Sequence, residues 1–257
     1  MRILILGCGW VGEDVAAHYL KHNWEVYVTC TSLEKKDYLS SLGLNVAVVN
    51  FDIESNIPEF PDTYDYVLNS VPASSRNSVA TISNRFQHVR EYLNTIRFQK
   101  QIYLSSIGIY PDKDAVFDED YSENLNERLL IAEQQISINN STIYRLGGLF
   151  GNNRMFAKYF AYRVCTTGDQ PANFIHVDDV VGLIVKGFET DLNDSIYNLV
   201  APEHPSKKEV ILASARKYGF EEPSDFISQN SFQKIVDGSK IVRELRYAFK
   251  FPSPLEF

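Results

Sequence analysis

Cysteine is scarce in this chain: three in 257 residues, Cys8, Cys30 and Cys165. An odd number with no paired spacing and no histidine cluster beside it excludes a disulfide framework and offers no zinc ligand set. A reducing cytoplasm is therefore the expected location. Long apolar runs are missing as well, since Ile3-Leu4-Ile5-Leu6 is followed at once by Gly7. Four residues are too few for a secretory core or a membrane span, so no membrane partner is expected. Positive charge is in deficit, with 25 Lys and Arg against 33 Asp and Glu, so that 25 − 33 = −8. That balance argues against a chain that coats phosphate backbones, and no nucleic-acid partner is expected. Repeats, low-complexity tracts and Gly/Ser linkers are absent, and the acidic run Asp112 to Asp120 reads as a solvated loop.

What remains is 44% hydrophobic and 13% aromatic, enough for a continuous globular core. In the first half, short β-branched runs alternate with longer amphipathic stretches, the pattern of a parallel sheet flanked by helices. Strands are predicted at Ile3 to Leu6, Glu25 to Cys30, Val46 to Val49, Tyr66 to Leu68, Gln101 to Ser105 and Ser141 to Arg145. Helices are predicted at Val11 to His22, Leu33 to Leu42, Ile82 to Ile96 and Leu125 to Ile138. Beyond residue 146 the alternation loosens. A helix is expected over Phe156 to Val164, a strand over Asn173 to Ile175, a helix capped by Asp178, a strand over Tyr197 to Val200, and a helix begun by a Ser206/Glu209 capping box. The fold class is thus α/β: a Rossmann-type doubly wound parallel sheet with a small C-terminal mixed α/β substrate lobe. Residues 1–257 are read as one unit, with the core mainly in 1–150 plus later elements and the lobe drawn from segments of 151–257.

The most informative local feature is Gly7-Cys8-Gly9-Trp10-Val11-Gly12, a full G-x-G-x-x-G between the first strand and the first helix. Gly7 serves a tight turn, Gly9 close approach of a pyrophosphate, and Gly12 close helix–strand packing, with the helix N-terminus facing the anion. The competing reading is a glycine turn that only packs the sheet. About 20 residues on, where a ribose-binding carboxylate would stand, the chain reads Thr29-Cys30-Thr31-Ser32, with Lys35 and Lys36 following. Hydroxyls without a negative charge remove repulsion towards a 2′-phosphate, which favours NADP over NAD. Helix capping by the same residues is the alternative. Asp52, at the carboxyl end of the third strand, is placed to meet an adenine amine while Ile53 packs the ring; a plain turn aspartate is its alternative.

Several segments together resemble the extended or atypical short-chain dehydrogenase/reductases, which include NAD-dependent nucleotide-sugar epimerases, dehydratases and reductases. Besides the glycine loop these are Leu104-Ser105-Ser106-Ile107-Gly108-Ile109-Tyr110, Tyr144-Arg145-Leu146-Gly147-Gly148-Leu149-Phe150-Gly151, Phe174-Ile175-His176-Val177-Asp178-Asp179-Val180 and Ser239-Lys240-Ile241-Val242-Arg243-Glu244-Leu245. The resemblance implies that Gly7, Gly9, Trp10, Val11 and Gly12 hold the pyrophosphate and that Asp52 and Ile53 hold the adenine. At the adenosine-ribose position Thr31 and Ser32 stand in place of a carboxylate, and Ser32 or a lysine could donate to a 2′-phosphate; by the resemblance, Ser70 and Val71 would line the cofactor's ribose, and Leu146 and Gly147 would border the nicotinamide. Ser106, four residues before Tyr110, matches the serine that hydrogen-bonds a substrate carbonyl or hydroxyl. The resemblance also implies a homodimer through the helices Ile82 to Ile96 and Leu125 to Ile138.

The chain departs from the family at its reacting pair, Tyr-x-x-x-Lys, in which the lysine lowers the tyrosine's pKa and the phenol moves a proton. Aligning Ala132-Glu133 puts that pair on Leu125 and Leu129, neither of which carries a proton. Asn124 and Arg128 lie one residue earlier, and a guanidinium is a poor relay. Three readings stay open: a divergent enzyme using Tyr110, His176 or Tyr121 as its acid/base, an inactive cofactor-binding protein, or a sensor of the NADP redox state. The catalytic candidates are Ser106 and Tyr110. His176 with Asp178 is read chiefly as helix capping, Cys8 and Cys30 as small residues under a cofactor, and the aromatic run Phe156, Tyr159, Phe160 and Tyr162 as a buried helix face.

Overall fold

The computed structural model describes residues 1–54, 60–138 and 140–257. In chain order the elements are β1 (Arg2–Leu6), α1 (Trp10–Lys21), β2 (Glu25–Cys30), α2 (Leu33–Ser41), β3 (Asn45–Val48), β4 (Thr63–Asn69), α3 (Val79–Leu93), β5 (Arg97–Ser106) and, after a 3₁₀ turn at Ile107–Ile109, β6 (Ala115–Phe117). Then follow α4 (Glu127–Ile136), β7 (Ser141–Leu146), β8 (Gly148–Phe150), α5 (Ala157–Phe160), β9 (Val164–Cys165), β10 (Phe174–His176) and α6 (Val177–Glu189). The chain finishes with β11 (Ile196–Leu199), α7 (Lys207–Tyr218), β12 (Asp225–Phe226), β13 (Lys234–Val236) and α8 (Ser239–Leu245).

Seven strands form the principal sheet in the order β11-β7-β5-β4-β1-β2-β3. The pairs β1/β2, β1/β4, β2/β3 and β4/β5 are parallel, as the alternating sequence pattern requires. Strand order reverses beside β1, where the chain moves outward to β2 and β3 and then returns to β4. In an open α/β sheet ligands bind at the carboxyl ends of the strands on either side of such a reversal. The loops that leave β1 and β4 flank that position.

Two compact units share the chain: residues 1–109, 125–144 and 184–196 form the first, and 110–124, 145–183 and 197–257 the second. In the first unit, Leu4, Leu6, Tyr64, Val67 and Tyr103 of the sheet meet Ile82, Phe86 and Val89 of α3 and Ala132 and Ile136 of α4. Burial of these aliphatic and aromatic surfaces, at roughly 25 cal/mol per Å², fixes both helices on one face of the strands. On α1 the buried stripe is Val11, Gly12, Val15, Ala16 and Tyr19. Phe188 of α6 stacks on Tyr66 with ring centroids 4.5 Å apart, which ties the returning segment to β4.

The second unit contains three two-stranded parallel pairs, β8/β10, β9/β12 and β6/β13. Three sequence expectations are corrected there and nearby. The predicted helix from Phe156 to Val164 shrinks to the single turn α5, because Tyr162 takes φ +61° and Val164 enters a strand. Its aromatic run is correspondingly divided: Phe156 stacks on Phe174 at 4.4 Å, whereas Tyr159 and Tyr162 are exposed. Asp178 does not cap α6, which already begins at Val177; instead the Nδ1 of His176 accepts the Asp178 N–H at 3.1 Å. In the first unit α4 starts two residues later than expected, since Asn126 is its N-cap and accepts the Leu129 N–H. By contrast, the capping box of α7 forms as read, with Ser206 and Glu209 bonded reciprocally.

Candidate functional site

The turn from β1 into α1 is built around three glycines in three different circumstances. Gly7 has φ +75°, and a Cβ there would lie 3.2 Å from the backbone of Ser70 and Val71, so only glycine allows the β1 and β4 loops to approach. Gly12 lets α1 settle on β1, where a Cβ would meet Ile5 at 3.2 Å. Gly9 is unlike both. Its backbone is extended (φ −97°, ψ −158°), a conformation open to any residue, and its nearest neighbour to a notional Cβ is 3.9 Å away. Neither backbone nor packing asks for glycine at this exposed position, which leaves open space over the turn as its effect.

The start of α1 has a matching property. Ser32, Ser78, Asn126 and Ser206 each cap a helix with a side chain, but the N-cap of α1 is Gly9, which has none to give. A bare N-terminus on a 12-residue helix is an anion-attracting end. The turn is held from below by Thr29 of β2, whose hydroxyl accepts the Gly7 N–H at 2.8 Å and whose carbonyl accepts the Cys8 N–H at 2.7 Å.

Beside the turn lies a cavity of about 220 Å³, lined by Gly7, Thr29, Cys30, Thr31, Val49, Asn50, Phe51, Asp52, Val71, Pro72, Ser74, Asn77 and Arg85. Gly7, Thr31, Asp52 and Val71 were singled out from sequence; Arg85 was not. It comes from the middle of α3, and its guanidinium binds the Asp52 carboxylate in a fork, Nε to Oδ1 at 2.7 Å and Nη2 to Oδ2 at 2.8 Å. That paired hydrogen bond holds the Asp52 carboxyl below the usual carboxylate range. Ile53 is 74% exposed, and Ser70 forms the wall against which Gly7 is pressed. The Ser32 hydroxyl accepts the Lys35 N–H, and the Lys35 ammonium is paired with Glu13 at 2.5 Å.

Near the end of β5, the Ser106 hydroxyl accepts the Gly108 N–H at 3.1 Å. A Cβ on Gly108 would stand 3.3 Å from the Ser106 Oγ and 3.7 Å from the Leu129 side chain. Leu125 precedes the Asn126 cap and is outside α4, and Asn124 has φ +48°. Asn124 and Arg128, four residues apart, therefore do not share a helical face. Arg128 donates to the Asn77 carbonyl at 2.8 Å. One residue back from Ser106, Ser105 donates to the buried Glu133 carboxylate at 2.6 Å, an interaction unread in the sequence.

Tyr110, Leu146, Gly147 and His176 belong to the second unit. The Tyr110 hydroxyl is buried, donates to Asn198 Oδ1 and accepts from Arg145 Nη1, both at 2.8 Å. Burial pushes its pKa up, opposed in part by Arg145. Leu146 is buried, and a Cβ on Gly147 would be 2.7 Å from the Asn173 carbonyl oxygen. His176 is stacked on Phe251 at 3.7 Å, and its Nδ1 is 3.9 Å from the Asp178 carboxylate. In the first unit, burial pushes the Cys8 thiol up to about 12 and raises that of Cys30, the opposite of a reactive thiolate.

The strand order, the glycine turn at its reversal and the flanking helices define a Rossmann-type α/β protein. The chain belongs to the NAD dependent epimerase/dehydratase family, whose model matches residues 3–130. It is 27% identical over 270 residues to Protein YeeZ of Escherichia coli (strain K12), covering 99% of this chain and 97% of that one. Among solved structures, UDP-glucuronic acid 4-epimerase from Bacillus cereus in complex with NAD is similar in fold, with TM-score 0.77, 19% identity and coverage of 100% and 95%. So is the human epimerase family protein SDR39U1 (isoform 2) with NADPH, with TM-score 0.77, 13% identity and coverage of 100% and 97%. None of the helices among the described residues is long and apolar enough to cross a membrane.

Proposed function

We propose that the first unit binds a nicotinamide dinucleotide, NADP or NAD, and that the chain uses it on a nucleotide-linked sugar or another small carbonyl compound. The observation that carries this reading is Gly9: a glycine required by neither its backbone angles nor its packing, at the uncapped start of α1. In this reading Gly7, Gly9, Trp10, Val11 and Gly12 hold the pyrophosphate, and Asp52, Ile53, Thr31, Ser32, Ser70 and Val71 receive the adenosine and ribose groups. The bound dinucleotide supplies hydride exchange. The missing carboxylate after β2 favours NADP. Ser32 accepts from Lys35 yet keeps its own proton to donate, while Lys35 is occupied by Glu13. Among the similar structures, three of the Bacillus cereus epimerase hold NAD and that of human SDR39U1 holds NADPH.

Ser106 is the substrate-facing hydroxyl in this proposal, and Tyr110 orders the Arg145 and Asn198 side chains rather than relaying protons. Leu125 and Leu129, standing where the family's reacting pair is expected, favour a second reading, a cofactor-binding protein that senses the NADP redox state without turnover. A missing general acid/base is worth about 10²–10⁴-fold in rate. Titrating the purified protein with NADPH and NADH should give saturable binding of at least one, and absence of both overturns the proposal. Incubation of the loaded protein with nucleotide sugars and carbonyl compounds, followed by nicotinamide absorbance and product analysis, divides the two readings. Turnover abolished by Ser106→Ala supports the enzyme; binding without turnover supports the sensor.

A further inference from the structure

Arg85 makes more contacts than a surface ion pair needs. Its side chain is 11% exposed, against 34% for its partner Asp52. Two of its nitrogens grip the carboxylate that follows β3, and the third, Nη1, donates to the Pro72 carbonyl in the loop that follows β4, at 2.6 Å. Asp52 and Pro72 both line the 220 Å³ cavity. One guanidinium thus spans two loops of the same pocket. The loop after β3 is pinned to α3 twice more, by Asn84 Nδ2 on the Asp52 carbonyl at 3.1 Å and by the His88 ring on the Phe51 carbonyl at 2.8 Å. Those two bonds hold the backbone. Among the described residues, only Arg85 donates to the carboxylate.

A planar fork of this kind fixes a carboxylate's orientation as well as its charge. Each carboxylate oxygen has a second lone pair, so the pair with Arg85 leaves Asp52 able to accept another N–H. An adenine presents such a donor in its exocyclic amine, whereas hypoxanthine presents a carbonyl there and meets the same oxygen with repulsion. We propose that Arg85 is a positioning residue for base recognition: by bridging Asp52 and Pro72 it sets the orientation in which Asp52 selects an amino-purine. The inference rests on dinucleotide binding by the first unit, and goes beyond it by assigning the base preference to a residue on α3.

The test compares NAD(P) with its hypoxanthine analogue on the full chain, by calorimetric titration. Wild type should prefer the amino form by at least about tenfold, the order of a hydrogen bond to a charged group. Arg85→Met should weaken the amino form more than the analogue and bring the ratio to within about threefold, because an unheld carboxylate no longer discriminates by direction. Asp52→Asn, whose amide can donate to a carbonyl and still accept from Arg85, serves if Arg85→Met fails to fold, as thermal melting would reveal. It should lower or reverse the ratio. A wild-type protein that binds both bases equally, or an Arg85→Met protein that is folded and keeps the full ratio, overturns the role of Arg85 while leaving dinucleotide binding intact. No binding of either form overturns both.

Discussion

Gly9 in the first unit and Gly147 in the second each follow a strand of the principal sheet, and they are glycines for opposite reasons. At Gly147 the protein itself fills the space, with the Asn173 carbonyl 2.7 Å and a Val200 methyl 2.9 Å from where a Cβ would stand. At Gly9, apart from its own chain neighbours, the nearest atom of the described residues is the Gly7 carbonyl oxygen, 3.9 Å from that point. A vacancy filled by the chain serves packing; a vacancy left over an uncapped helix end serves something outside the chain. The same contrast extends to polar groups. Tyr110, Arg145 and Asn198 satisfy one another inside the second unit, whereas Asp52 is oriented by Arg85 and still lines an open cavity.

The sharpest way to break this contrast is Gly9→Asp. A carboxylate projected over the start of α1 occupies the anion's place and repels it, so dinucleotide affinity should fall by at least about a hundredfold. The melting temperature should stay near that of wild type, because the backbone at Gly9 suits any residue. Titration beside a thermal melt reads both quantities. A large loss of stability would show that Gly9 is a packing glycine like Gly147, and the distinction would fail.

The complementary substitution, Gly147→Ala, should act on stability. A methyl group 2.7 Å from a carbonyl oxygen forces the backbone of the second unit to move, and overpacking of this kind costs about 1–3 kcal/mol. Denaturant midpoints would register it. A variant as stable as wild type would mean that the strand ends in the second unit yield easily, and that Gly147 is not held by its neighbours.

How much of this could be read from the sequence follows from how local each signal is. The glycine turn, the alternation through β5 and the Ser206 capping box are all encoded within a few residues, and each was found where expected. The paired strands β6, β8, β9, β12 and β13 are two or three residues long, too short for period-two alternation to declare itself. Arg85 was missed for a different reason. An arginine in an amphipathic helix reads as a solvated side chain, and its partner is 33 residues away. Ser105 and Glu133, 28 residues apart, escaped in the same way. The start of α4 was misjudged because Leu125 continues the apolar pattern, while the cap that decides the matter, Asn126, lies one residue inside it.

The smallest expected effect concerns the charge of the pair that orders the cavity. The Arg85 hydrogen bonds depress the folded-state pKa of Asp52. Their contribution to stability is therefore present above the usual carboxyl pKa, about 4, and is lost as pH falls through the lower, folded value. Arg85 stays charged throughout. With the Asp52 side chain 34% exposed, solvent screens the pair and the effect is modest. Urea midpoints for wild type and Asp52→Asn should thus differ at pH 7, and the difference should narrow towards pH 3, because the unfolded chain takes up a proton at position 52 before the folded protein does. A difference that stays the same at both pH values would mean that Asp52 contributes by shape alone. The cavity beside Gly7 would then be organised by packing, as the surroundings of Gly147 are.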